Sequence, residues 1–275
     1  MGIFDLTGRP FLMLYAALFV GALIASFLIP RWLRAEGRAP AGLDAEGLAY
    51  LAGGAGRYVD AVMARLLAAR DVAIEAGGKV RILAPAVGRA APDRAVLLLA
   101  TPAPWHKVSA TLARHAARVE ARLVEAGLLI HRAGALQLRF WAIAPWLALL
   151  AIGATKWEIG RLRDKPVGIL TFFLIVTVFA LVVRFASVDR RSRAALDLLR
   201  RERDGRERLR RAPRAEEMPL AVALYGTGVL AASEFGAYHA LRAQGGGDAG
   251  VSADSGSGGS GGSGCGGGGC GGCGS

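Results

Sequence analysis

Hydrophobic positions gather into three long apolar runs and one shorter one, separated by polar stretches. Phe11 to Ile29 holds nineteen residues without a charge. As a helix it is about 28 Å long, the thickness of a bilayer core. Pro30 and Arg31 close it. It exceeds a signal-peptide apolar segment, and no A-x-A site precedes Arg31-Trp32-Leu33-Arg34, so it reads as an uncleaved anchor. The second run, Phe140 to Thr155, is extended by Leu136 and Leu138, with Trp141, Trp146 and Trp157 at interfacial positions. Pro145 should kink it or cap its first turns. The third, Pro166 to Ala186, carries Arg184 near its end, where a long side chain can snorkel. Met218 to Ser233 falls short of the ~20 residues a span needs, and reads as a buried or re-entrant segment before a fourth span.

Charge orients this set. Asp189 to Arg214 holds eleven Arg against five acids; Arg31, Arg34 and Arg38 follow the first span, and Arg132 and Arg139 precede the second. Basic residues collect on the cytoplasmic side of spans. The expectation is a bacterial inner-membrane protein with N-terminus outside and tail inside. It has an outer N-terminus at 1–10, transmembrane helices at 11–29, 139–155 and 166–186, and a cytoplasmic domain at 30–138. An outer loop follows at 156–165, then an Arg-rich amphipathic helix at 187–214, an apolar helical segment at 218–243 and a tail at 244–275. The outer loop is itself basic, with Lys156, Arg161, Arg163 and Lys165 against Glu158 and Asp164. Those four cations could hold an anionic lipid headgroup or anchor the hairpin at the interface.

Within the domain, Asp44 is a plausible N-cap, and Leu48, Leu51, Val59, Val62, Met63, Leu66 and Leu67 recur at helical spacing around a Gly53-Gly54 break. Val72 to Ile82 alternates on both sides of Gly77-Gly78, a hairpin signature. A similar pattern returns fifty-six positions later. Leu112 to Ala126 reads as a helix, and Leu128 to Leu138 as a second hairpin-like stretch. Leu67 then aligns with Leu123, Ile74 with Ile130 and Gly78 with Gly134. The expected fold is therefore mainly α, with three transmembrane helices and a small α+β tandem winged-helix-like domain of two units, about 42–83 and 98–138. A DNA-binding reading would place Arg57, Arg65 and Arg70 on a recognition helix and Lys79 and Arg81 on a wing. Asp60, Asp71 and Glu75 interrupt that set, so nucleic acid is disfavoured against a solvated helix face.

Composition changes little in this picture. The net charge of +12 is mostly Arg, and the 53% apolar content follows from the spans. No catalytic motif occurs. Gly53-Gly54-Ala55-Gly56-Arg57 lacks the ending of a phosphate loop, and His106, His115, His131 and His239 have no metal-ligand spacing. The tail from Gly245 is Gly/Ser-rich with too little apolar content to fold, so disorder is expected. Its Cys265, Cys270 and Cys273 could take zinc or copper(I), be modified, or be low-complexity drift.

Leu43, Glu46, Ala49-Tyr50-Leu51-Ala52-Gly53-Gly54 and Arg57 resemble the opening of an uncharacterised family of bacterial multi-span membrane proteins with Gly/Cys-rich tails. Gly160-x-x-Arg163-x-Lys165-Pro166-Val167-Gly168 looks like that family's hairpin motif. Pro219 to Gly226 looks like its post-hairpin segment. The tail carries fewer cysteines than the family pattern. The resemblance implies architecture and no activity. The functional expectation is a non-enzymatic, membrane-anchored interaction or scaffold protein, with lipids and a protein as partners. Two alternatives stand beside it: a carrier of a metal-binding or modified Cys/Gly tail, and a membrane-tethered nucleic-acid binder.

Overall fold

The computed structural model describes residues 8–33, 36–37, 42–75, 77–162 and 168–244. The first five helices are α1 (Gly8–Leu33), α2 (Ala45–Ala68), α3 (Ala91–Leu97), α4 (Trp105–Glu125) and α5 (Arg132–Leu162). The rest are α6 (Gly168–Ala186), α7 (Arg193–Asp204), α8 (Arg208–Arg211), α9 (Met218–Tyr225) and α10 (Gly236–Gln244). Strands β1 (Val72–Glu75), β2 (Lys79–Ile82) and β3 (Ala103–Pro104) form one antiparallel sheet in the order β1-β2-β3.

The three long apolar runs become α1, α5 and α6, each long and apolar enough to cross a membrane. α5 lies between the other two and packs on both. Phe11, Tyr15, Trp146, Leu149 and Leu170 are buried between them. The Tyr15 and Thr177 hydroxyls are 3.0 Å apart, and Trp157 Nε1 donates to Thr171 Oγ1 at 3.0 Å. Interhelical hydrogen bonds of this kind are a recurrent feature of helix packing in lipid. Ile24, Phe27, Phe172, Ile175 and Phe179 point outward and are more than half exposed, leaving an apolar surface of the sort bilayer hydrocarbon covers.

The other described residues pack into one domain with a single main core. Asp44 caps α2, its carboxylate accepting from the Gly47 amide at 3.0 Å, as its position predicts. α2 bends where Gly53 and Gly54 leave helical geometry. The expected hairpin forms, with Val72 opposite Ile82, Ile74 opposite Val80 and Glu75 opposite Lys79. Gly77 and Gly78, in the short connection between Glu75 and Lys79, both take positive φ, 81° and 73°, which glycine adopts without strain.

Two expectations are corrected. Leu128 to Leu138 is no second hairpin, so the tandem winged-helix repeat does not form. Residues from Arg132 onward are the first turns of α5. The equivalent of Gly77-Gly78 there is Ala133-Gly134; an Ala resists positive φ, and Ala133, Ala135, Leu136, Gln137 and Leu138 favour helix. Leu129 instead bridges to Arg191, and the Ile130 amide donates to the Arg190 carbonyl at 2.8 Å. The second correction concerns 156–165. α5 runs through to Leu162, so Lys156 and Arg161 are helical and not in a loop.

The fourth apolar run is no span either. It holds the eight residues of α9 followed by a 3-10 turn at Thr227–Leu230. Ala221, Val222, Ala223 and Leu224 are buried, packed against α2. Ala195 and Leu199 of α7 join the same core. One domain is thus assembled from two chain segments, 42–131 and 187–244, with the α5–α6 hairpin between them in sequence.

Candidate functional site

All three long helices meet this domain through connections that are stapled together. After α6, Ser192 donates its amide to the Leu128 carbonyl at 2.9 Å, and Ala194 donates to Glu36, which follows α1, also at 2.9 Å. Arg190 Nη1 donates to Glu120 Oε1 at 2.8 Å, while Tyr50 of α2 donates to Glu120 Oε2 at 2.8 Å. One α4 carboxylate therefore ties α2 to the segment that follows α6. The bend in α2 offers another tie: Arg191 Nη2 donates to the Ala52 carbonyl, beside Gly53, at 2.7 Å.

A cleft of about 280 Å³ opens at this junction, between the last turns of α1 and α6 and the flank of α7. Its charged lining is Arg31, Arg184, Arg191, Arg200, Arg203 and Asp189; Phe27, Pro30, Leu196 and Leu199 supply apolar wall. Pro30 explains why Arg184 stands where it does. Proline has no amide hydrogen, so the carbonyl four residues earlier, Ser26, loses its helical donor. Arg184 fills that place from α6: Nη2 and Nε donate to the Ser26 oxygen at 2.7 and 3.1 Å. Its guanidinium also lies over the Phe27 ring, 4.9 Å from the centroid. Asp189 pairs with Arg191 at 3.5 Å, and Arg200 forms an exposed pair with Asp197 at 3.4 Å. Exposed pairs of that kind contribute little. Five arginines against one lining carboxylate leave a strongly cationic cleft where the apolar bundle ends.

Lys156 and Arg161, two of the basic residues predicted for the outer loop, sit at the other end of the bundle. Lys156 lies over the Phe11 ring at 5.1 Å and Arg161 over the Trp157 ring at 4.8 Å, cation–π contacts that hold both ammonium and guanidinium against aromatic faces. Arg163 and Lys165 lie outside the described residues, as do Cys265, Cys270 and Cys273. Among the described residues no group of His, Cys, Asp and Glu is arranged to hold a metal ion.

Three residues of the nucleic-acid reading are committed elsewhere. Arg65 Nη2 pairs with Asp93 at 2.7 Å and Glu46 at 2.9 Å, and Arg81 with Glu75 at 3.4 Å. Arg57 donates to the Val222 carbonyl at 3.5 Å and packs on Gly226. His239 Nδ1 is 3.1 Å from the Thr227 hydroxyl. Burial lowers the pKa of His115, and Arg118 and Arg114 beside it act in the same direction. The sequence reading takes Arg31 as a topology signal, Arg184 as a snorkelling side chain and 187–214 as an Arg-rich amphipathic helix. The available signal for a site was Pro30, which marks Ser26 as a carbonyl in need of a donor. Asp71, read from sequence only as an interruption of the basic set, is buried with Arg89 Nη2 at 2.5 Å from its Oδ1.

No family profile, curated protein or solved structure matches this chain.

Proposed function

We propose that this chain is an integral inner-membrane protein that holds a non-enzymatic interaction domain against the cytoplasmic face, acting as an anchored scaffold. The observation that carries this reading is the two-segment domain, built from chain on both sides of the α5–α6 hairpin and tied to the ends of all three long helices. A domain joined in this way has a fixed stance relative to the bundle, which suits a platform for a protein partner. The cationic connections at 31, 184 and 187–211 match the charge bias expected of cytoplasmic segments. Beside α10, a groove of about 290 Å³ runs along β1, whose outer edge has no strand partner among the described residues, and gives the partner reading a place to begin.

The three cysteines all lie in the tail that continues from α10, so the protein carries its own topology probe. A membrane-impermeant maleimide should label the protein only after the inner membrane is opened. Labelling of cells with an intact inner membrane would place tail and domain outside and sink the cytoplasmic scaffold. A photo-crosslinking residue at Ala73 of β1 should give one discrete adduct in cells, and none at an equivalent position on the outward face of α6. A smear of unrelated adducts would count against a dedicated partner.

A further inference from the structure

We propose that the cleft between α1, α6 and α7 binds the phosphate of an anionic phospholipid. The inference rests on the membrane-anchored reading above and names a ligand for its junction. Three observations point the same way. The first is charge: among the described residues Arg31, Arg184, Arg191, Arg200 and Arg203 line the cleft, with Asp189 as the only lining acid. Guanidinium groups match phosphate oxygens in paired, bidentate fashion.

The second is preorganisation. Arg184 is fixed by the Ser26 carbonyl and Arg191 by the Ala52 carbonyl, so two cations are already held in place by backbone. An anion arriving there orders fewer side chains than it would on a free surface. Arg31 and Arg200 are exposed and supply charge at the rim.

The third is depth. The cleft wall includes Phe27 and Pro30, in the last turns of a helix long and apolar enough to cross a membrane. Headgroup phosphates lie at that level of a bilayer. Phe27 is 57% exposed and Ile24 is 53% exposed, so acyl chains would follow the outward face of α1 below the cleft. The volume of about 280 Å³ suits a headgroup and lies near the low end of the ~300–1,000 Å³ typical of ligand pockets.

The test uses the full chain purified in detergent. Its thermal midpoint would be followed with added short-chain phosphatidylglycerol, with short-chain phosphatidylcholine and with glycerol phosphate. Phosphatidylglycerol should raise the midpoint well above the phosphatidylcholine value. R31Q combined with R200Q should lose most of that rise, because both side chains are exposed and neither holds the fold. K156Q combined with R161Q, at the other end of the bundle, should keep it. Equal effects of the two lipids, or an undiminished rise in the R31Q/R200Q protein, would overturn the proposal. A full rise with glycerol phosphate alone would keep an anion site and overturn its assignment to lipid. Alkaline carbonate extraction separates this from the anchoring reading. Release of the chain from membranes would sink anchoring itself, whereas retention with no lipid preference would sink the cleft alone.

Discussion

Single side chains at this junction do work that a neighbouring residue has made necessary. Arg184 satisfies a carbonyl that Pro30 leaves without a donor, so the two positions should be coupled. Arg184→Met alone should cost about 1–3 kcal/mol, the range for an unsatisfied buried polar group. In a Pro30→Ala background the amide at position 30 returns to the Ser26 carbonyl, and the same change should cost less than about 0.5 kcal/mol. Thermal unfolding of the four proteins forms a double-mutant cycle, and additivity would sink the argument. Gly226 poses a different demand. Its φ is 92° with ψ −179°, a region essentially confined to glycine, and an added Cβ would lie 2.8 Å from the Arg57 guanidinium. Gly226→Ala should destabilise by about 1–3 kcal/mol, while Gly228→Ala, with nothing within 4 Å, should be near neutral in the same denaturation assay. His115 gives a pH dependence. Its folded pKa is lowered by burial first and by Arg118 second, so the folded state favours neutral imidazole. The unfolded chain then takes up the proton first, and stability falls as pH drops below about 6.5 and through the lower folded value. His115→Gln should flatten that part of the stability curve between pH 7 and 5.

Elements show where sequence patterns were sufficient and where they were not. The β1–β2 hairpin was legible because alternation and a Gly-Gly turn agree locally. Asp44 was legible as a cap for the same reason: its partner lies three residues away. Leu128 to Leu138 shares the alternation but lacks the turn chemistry, and the run of α5 behind it extends the helix back to Arg132. α10 could not be placed from sequence because what holds it is distant. Arg242 Nε donates to Asp60 Oδ1 at 2.6 Å, and the Tyr238 hydroxyl donates to the same oxygen at 2.7 Å. Both charges are buried, and Arg242 also lies 5.4 Å from the Trp105 centroid. Arg242→Met strands the Asp60 carboxylate and should cost about 3–5 kcal/mol, with hydrogen exchange accelerating first in 236–244. Replacing the set with Asp60→Leu, Tyr238→Phe and Arg242→Met should cost much less, because no polar group is then left without a partner. Equal losses in the two proteins would mean that packing, not charge pairing, holds α10.

At the scale of the whole molecule the three membrane-length apolar helices were readable, because a bilayer imposes a length and a polarity on any segment that crosses it. The domain's second half was not. Met218 to Ser233 shows apolar content without saying what it packs on, and α2 presents a face whose partner lies more than 150 residues further on. The cationic cleft was hidden for the same reason: Arg31, Arg184 and Arg200 come from separate elements that only the assembled domain brings together. A chain ending after Arg211 lacks α9 and α10 and leaves α2 uncovered. Protease should then cut freely within 42–131 while α1, α5 and α6 stay protected in membranes. Survival of 42–131 as a resistant fragment would show that the first segment folds alone.

On the membrane-anchored reading proposed above, this two-part construction bears on biogenesis. During synthesis the first segment emerges with the greasy side of α2 uncovered. It must wait, unfinished, until α5 and α6 have been inserted and the last hundred or so residues have been made. If the hairpin enters the bilayer the wrong way round, or not at all, α9 is delivered to the wrong compartment or held out of reach. The first segment then stays open to proteases. Completion of the domain is therefore also an inspection of the membrane topology, carried out by the chain on itself, and only correctly threaded copies pass.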